Sequence, residues 1–304
     1  MAALAEHAGP DVAGPNARAL RRDALRERLA ALGLAGPATI LVLLTMALPV
    51  AWLFGLSFIA DDGSLSLVHY RRLIEQPSYA RIFATTFKVS LLTTAITVLL
   101  GYPLAYVIAQ LPRRAASLCL MAVLLPFWTS LLVRTYAWLV LLQRQGLVNA
   151  LGLRLGLWDE PLALVNNLSG TLVGMVHIMV PFLVLPLLAN MRAIDGDYLK
   201  AAAGLGADPV RTFWKVFFPL SLPGLCAGTL IVFVVCLGFY VTPAILGGGK
   251  VIMVSNQIAS DIDLFFNWGA ASALGVVLLV LTLALLWLAS RITRLDGIFG
   301  GSAP

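Results

Sequence analysis

Charge is scarce in this chain. Only 12% of its 304 residues are Asp, Glu, Lys or Arg, whereas 60% are hydrophobic. A soluble domain carries about 25% charged and about 45–50% apolar residues, so an ordinary water-soluble globule is excluded. No polar run is long enough to make a separate soluble domain. Cysteine is rare too. Cys119, Cys226 and Cys236 all sit inside apolar runs, without metal-ligand spacing and without implying a disulfide, and read as small packing residues. There is no metalloprotease helix and no nucleophile elbow. The run LGGGK (246–250) matches a phosphate loop only in part, because Ala244 and Val251 stand where glycine and a hydroxyl residue are needed. The chain is therefore expected to bind neither metal nor nucleotide and to hydrolyse no ATP. The net charge of +6 is spread among short loops, which argues against a nucleic-acid partner. Finally, no Asp or Glu falls within any long apolar run. Asp61, Asp62, Glu75, Asp159, Glu160, Asp261 and Asp263 all read as loop residues.

Long apolar runs are what the chain has in abundance. A bilayer core of ~30 Å needs roughly 20 apolar residues in a helix. Six stretches meet that length, at 37–59, 88–111, 116–142, 171–190, 224–246 and 269–290. The expected fold is an all-α polytopic membrane protein of six transmembrane helices. Its domain spans 37–295, with an amphipathic tail over 1–36 and a short tail over 296–304. In the first tail, residues 17–32 form a basic helix with Leu20, Leu25, Leu29 and Leu32 on one side. It is too polar for a cleaved secretory signal, and either lies on anionic membrane lipid or is solvated. With the N-terminus inside, thirteen Lys and Arg fall in inner segments and seven in outer ones. The positive-inside bias thus puts both termini and the segment 195–223 in the cytoplasm. Prolines 49, 103, 126, 181, 186 and 243 interrupt the spans and suggest kinked helices around a cavity. Gly101, Ala105 and Ala109 recur every four residues, a spacing for close helix contact. The outer loops 60–87 and 143–170 read as short helical pieces, either contact sites for an external partner or plain connections.

The segment 195–223, DGDYLKAAAGLGADPVRTFWKVFFPLSLP, is neither apolar enough for a bilayer nor loose enough for a plain loop. It reads as two short helices. Asp195 or Asp197 caps the first, Gly204 or Gly206 ends it, and Asp208 with Pro209 starts the second, which Pro219 stops. This stretch resembles the EAA loop of the membrane subunits of ABC importers. Ala201, Ala202, Leu205, Gly206, Ala207, Pro209, Phe213, Pro219 and Pro223 fall in register, and Lys200 stands at the glutamate position. The resemblance implies a type I importer permease fold with a cytoplasmic coupling helix that docks on an ATPase. The docking residues would be Lys200, Ala201, Ala202, Leu205, Gly206, Ala207 and Asp208.

Two further runs, LLPFWTSLLVRTYAWLVLLQRQGLVN (124–149) and YVTPAILGGG (240–249), resemble the spermidine/putrescine-type permease, first of a pair. The resemblance covers most of 37–295. It implies a second homologous permease, two copies of a cytoplasmic ATP-binding subunit that holds ATP and Mg, and a periplasmic solute-binding protein, in a bacterial inner membrane. Arg134 lies inside the third span, where a charge is costly, and either lines the path or outer gate or fixes neighbouring helices. Trp128, Tyr136, Trp138, Phe239 and Tyr240 supply an aromatic path that could carry a cation. Arg134 would oppose one, so amino acids or phosphonates stay open beside polyamines. His177 is either a proton relay or a packing residue. An ion-coupled secondary transporter is the alternative; it calls for intramembrane carboxylates and an inverted repeat, and neither is found.

Overall fold

Backbone groups in hydrocarbon must be satisfied within their own segment, and the apolar runs accordingly wind into helices. The computed structural model describes residues 15–60 and 62–299, with side chains over 35–60 and 62–291. The chain divides into two units, Met1–Gly55 and Leu56–Pro304. The first is dominated by helix α1 (Pro15–Leu56), so the expected tail helix and first span are one continuous helix. The leucine face expected at 17–32 lies outside the described side chains, as does Asp61 outside the described residues.

The second unit opens on a tight turn. Asp62 accepts hydrogen bonds from the Ser64 amide and hydroxyl, at 2.9 and 2.6 Å, and these hold its carboxyl below the usual range. Helix α2 (Val68–Glu75) follows, tied back by a 2.7 Å Tyr70–Ser57 hydroxyl contact. Helix α3 (Pro77–Gln110) begins well before the expected start at 88, so Arg81 and Lys88 belong to a helix and not to a loop. Pro77 takes the first helical position, where its missing N–H is not needed.

The expected third span, 116–142, is broken. Helix α4 (Arg113–Leu124) passes into a 3₁₀ turn at Leu125–Trp128 and then into helix α5 (Leu131–Leu142), the two arms bending by 99°. Pro126 lies in that turn, and it can neither donate to a helix nor let its predecessor settle easily in one. Helix α6 (Leu147–Arg154) occupies the next loop. Buried Asn149 fastens it, donating to the carbonyls of Gln143 and Leu162 and accepting from the Leu162 amide, all within 3.0 Å.

Helix α7 (Leu168–Ala193) starts on an Asn167 side-chain cap to Gly170 N. Helices α8 (Gly196–Gly204) and α9 (Pro209–Thr212) come next. A π segment, Phe213–Phe217, leads into helix α10 (Phe218–Leu237). Here the sequence expectation fails, because Pro219 does not stop the helix. The wide π turn ahead of it relieves the clash that a proline ring makes with the preceding turn, and Phe218 N bonds Phe213 O instead. The fifth span therefore runs from Pro209 to Leu237, not from 224 to 246. Residues Val241–Leu246 form a separate helix α11, followed by α12 (Val254–Asp263) and α13 (Trp268–Phe299). Among the described residues, five helices are long and apolar enough to cross a membrane, or six if the bent α4–α5 pair is one span.

Helix α7 is the centre of the second unit, packed between α3 and α10. Lipid tails are as apolar as leucine, so close packing and not water exclusion must hold these helices. Glycine supplies the closeness. A Cβ at Gly101 of α3 would come within 2.7 Å of Leu183 on α7, and one at Gly228 of α10 within 2.9 Å of the same side chain. Leu183 is wholly buried between them. Gly224, one turn before Gly228, sits directly over Asn190. That residue's amide nitrogen donates to the carbonyls of Leu220 and Ser221, both at 3.2 Å.

Candidate functional site

The segment 195–223 is built from its caps outward. Asp195 accepts from Asp197 N at 3.0 Å and starts α8. The helix ends in a Schellman motif: Gly206, at φ +80°, donates to Ala203 O and Ala207 donates to Ala202 O. Asp208 then accepts from Arg211 N at 2.7 Å, with Pro209 at the first position of α9. Lys200, at the glutamate position, pairs with Asp197 one turn back at 2.8 Å on the exposed surface.

The segment has a wet apolar side and a packed aromatic side. Tyr198, Leu205, Val210 and Trp214 are exposed, Leu205 at 89%. The space a side chain would fill at Gly206 is open. On the other side, Tyr106 of α3 meets the rings of Phe213 and Phe217 edge-on, with centroids 5.2 and 5.1 Å apart. Tyr102 adds Phe218 at 5.7 Å and a 2.9 Å hydrogen bond to Ser221. Each such ring pair contributes about 0.5–1.5 kcal/mol beyond its burial, and together they weld the segment to α3 and α10. The arrangement can pass a push on α8 and α9 into two membrane helices.

The expected path residues are only partly brought together. Arg134 on α5 lies 5.7 Å from the ring of Phe127, and its Nε and one terminal nitrogen are buried without a partner among the described residues. Trp138, one turn on, donates to His177 Nδ1 on α7 at 3.1 Å, so His177 is a partnered packing residue. Trp128 and Tyr136 point away from the core, at 88% and 55% exposure. Phe239 packs against the core cluster of Val89, Met175 and Val232. Tyr240 lines a separate cleft with α12. Helix α11 leans on α5, where Thr135 and Thr242 approach to 3.5 Å.

Two features escaped the sequence reading. Gly224 and Gly228 have the Gly-x-x-x-Gly spacing of close helix pairs, a signal that was legible. Asp261 is no loop acid. It is 5% exposed on α12, and its Oδ1 accepts from Gln257 at 2.9 Å while Oδ2 is buried without a partner. Burial pushes its carboxyl above the usual range, against the pull of the Gln257 hydrogen bond and the Arg72 charge. Its place on α12, within electrostatic reach of Arg72 and Tyr79, depends on tertiary packing and left no signal in the sequence.

Residues 34–295 match the family described as binding-protein-dependent transport system inner membrane component. The chain belongs to that family. It is thus a multi-pass inner-membrane permease of an ABC importer, working with a solute-binding protein; ATP hydrolysis belongs to a separate subunit. Membership sets aside the ion-coupled alternative. The permease is 32% identical over 254 residues to the spermidine/putrescine transport system permease protein PotB of Haemophilus influenzae, covering 82% of this chain and 88% of that one. PotB of Escherichia coli K12 is 32% identical over 260 residues, covering 83% and 94%. Its fold matches a bacterial alginate ABC transporter solved with an alginate pentasaccharide-bound periplasmic protein. That match has a TM-score of 0.72 at 17% identity and covers 90% of the permease and 96% of that chain.

Proposed function

We propose that this permease is one of two related membrane subunits that import a polyamine or a similar small polar solute, with α8 and α9 as the part gripped by a cytoplasmic ATPase. The single observation that carries the coupling role is the α8–α9 pair itself. It is self-capped and exposed along Tyr198, Leu205, Val210 and Trp214, yet bonded through aromatic rings to α3 and α10. The bias of Lys and Arg supports a cytoplasmic location for this pair and for both termini. Two copies of the ATPase, one per permease, hold ATP and Mg; this chain holds neither. ATP-driven closure of the ATPase tilts α3 and α10 and opens the cavity outward, and reopening returns it inward, a two-state element biased from one side. The PotB relatives support the polyamine reading.

Gly206→Asp tests the coupling assignment. The residue adopts a left-handed conformation that costs an L-residue roughly 1–2 kcal/mol, and the new carboxylate projects into open space where the ATPase would sit. The variant is expected to insert normally but to lose transport and co-purification of a Walker-motif ATPase. Normal transport by this variant would refute the assignment.

A further inference from the structure

Among the described residues, acids are missing from the membrane spans, but one lines a cleft between α11 and α12. The cleft has a volume of about 360 Å³, and Asp263 is the only charged residue among the described ones that line it. Asn256, Gln257 and Ser260 of α12 and Tyr240 at the start of α11 complete its polar side. Each of the three α12 side chains has one donor engaged. The Asn256 amide donates to Tyr240 O at 3.2 Å, the Gln257 amide to Asp261 at 2.9 Å, and the Ser260 hydroxyl to Asn256 O at 3.0 Å. A second amide N–H of Asn256 and of Gln257 and the Tyr240 hydroxyl remain as donors, and the Gln257 carbonyl oxygen, the lone pairs of Ser260 and the Asp263 carboxylate remain as acceptors. The C-terminal end of α12, at Asp263 and Leu264, also falls here and carries the negative end of the helix dipole. Its apolar lining includes Val251 and Leu264. Lys250 is exposed on the adjoining turn and does not line the cleft.

A cleft whose one charge is a carboxylate, with further acceptors and apolar lining residues beside it, matches a ligand that offers N–H donors, a positive charge and methylene groups. We propose that this cleft is a transient binding site for the ammonium end of an alkylammonium solute, with Asp263 as its counter-ion and Gln257 and Ser260 as acceptors. The proposal rests on the polyamine reading of the permease and gives that substrate a place in this chain. An exposed carboxylate binds weakly, as a station on a path must if its occupant is to leave.

The test uses the assembled transporter in liposomes, with Ser260→Cys introduced where Cys119 and Cys226 have been changed to serine. Modification rates are compared for a primary-ammonium thiosulfonate and its sulfonate counterpart, each relative to free thiol. The cationic reagent is expected to be favoured about tenfold. Asp263→Asn should abolish most of that preference, Lys250→Gln should not reduce it, and 1,4-diaminobutane should slow the cationic reaction only when Asp263 is present. Equal relative rates, or a preference untouched by Asp263→Asn, would overturn the proposal. If the serine variant fails to assemble, Ala259→Cys on the same cleft carries the same comparison. Polyamine uptake, measured in parallel, separates the two claims. Uptake without preference or protection sinks the cleft alone, whereas preference without uptake retains a cation site and removes the polyamine reading.

Discussion

At the scale of single residues, Arg134 and Asp261 both hold polar atoms without partners where burial makes that expensive. A buried unsatisfied donor costs about 1–3 kcal/mol, and Arg134 has two. Such a cost is tolerated where function needs it. Arg134→Met, which keeps the volume and removes the donors, is therefore expected to leave the thermal midpoint unchanged or raised while lowering uptake. A drop in midpoint with normal uptake would make Arg134 a structural residue. For Asp261, burial raises the folded-state carboxyl above its ordinary value, so the folded protein holds the proton more tightly than the unfolded chain. That contribution favours folding below the ordinary carboxyl pKa and is lost as pH rises through the raised one. The midpoint of Asp261→Asn minus that of the native chain should accordingly grow between about pH 4 and the raised value, then level off. A difference that shrinks with pH would contradict this.

At the scale of elements, two devices organise the second unit: the glycine seam of α7 with α10 and the aromatic weld under α9. Gly228→Leu drives a side chain into Leu183 and its backbone. It is expected to destabilise the protein by about 1–3 kcal/mol, visible as a lowered melting point. Gly275→Leu, on α13 with open space around it, should be close to neutral. The caps of α8 and α9 were legible in the sequence because Asp195, Gly206 and Asp208 act locally, each through a bond to a residue two or three places away. Breaks within helices were harder to read. Pro126 coincides with a real bend and Pro219 does not, and the difference is the π turn before Pro219, which no single residue announces. The bilayer-length rule found the runs, yet it could not see that 116–142 turns a corner or that Asp261 is folded out of water. Both depend on how distant helices pack. The aromatic path was legible as composition but not as a site, since Trp138 turns inward to His177 while Trp128 and Tyr136 face outward.

At the scale of the whole molecule, the proposed coupling has α8 and α9 receive force from an ATPase and hand it to the helix bundle. The ring contacts of Tyr102 and Tyr106 tie α3 to the π segment and the start of α10, the connection that the proposed coupling needs. The most direct measurement replaces Leu205, the most exposed apolar side chain of the loop, with a photo-crosslinking phenylalanine in living cells and identifies what it captures. The account expects a cross-link to a Walker-motif ATPase, whose yield changes when nucleotide is trapped. Capture of the periplasmic binding protein, or of no protein at all, would contradict it.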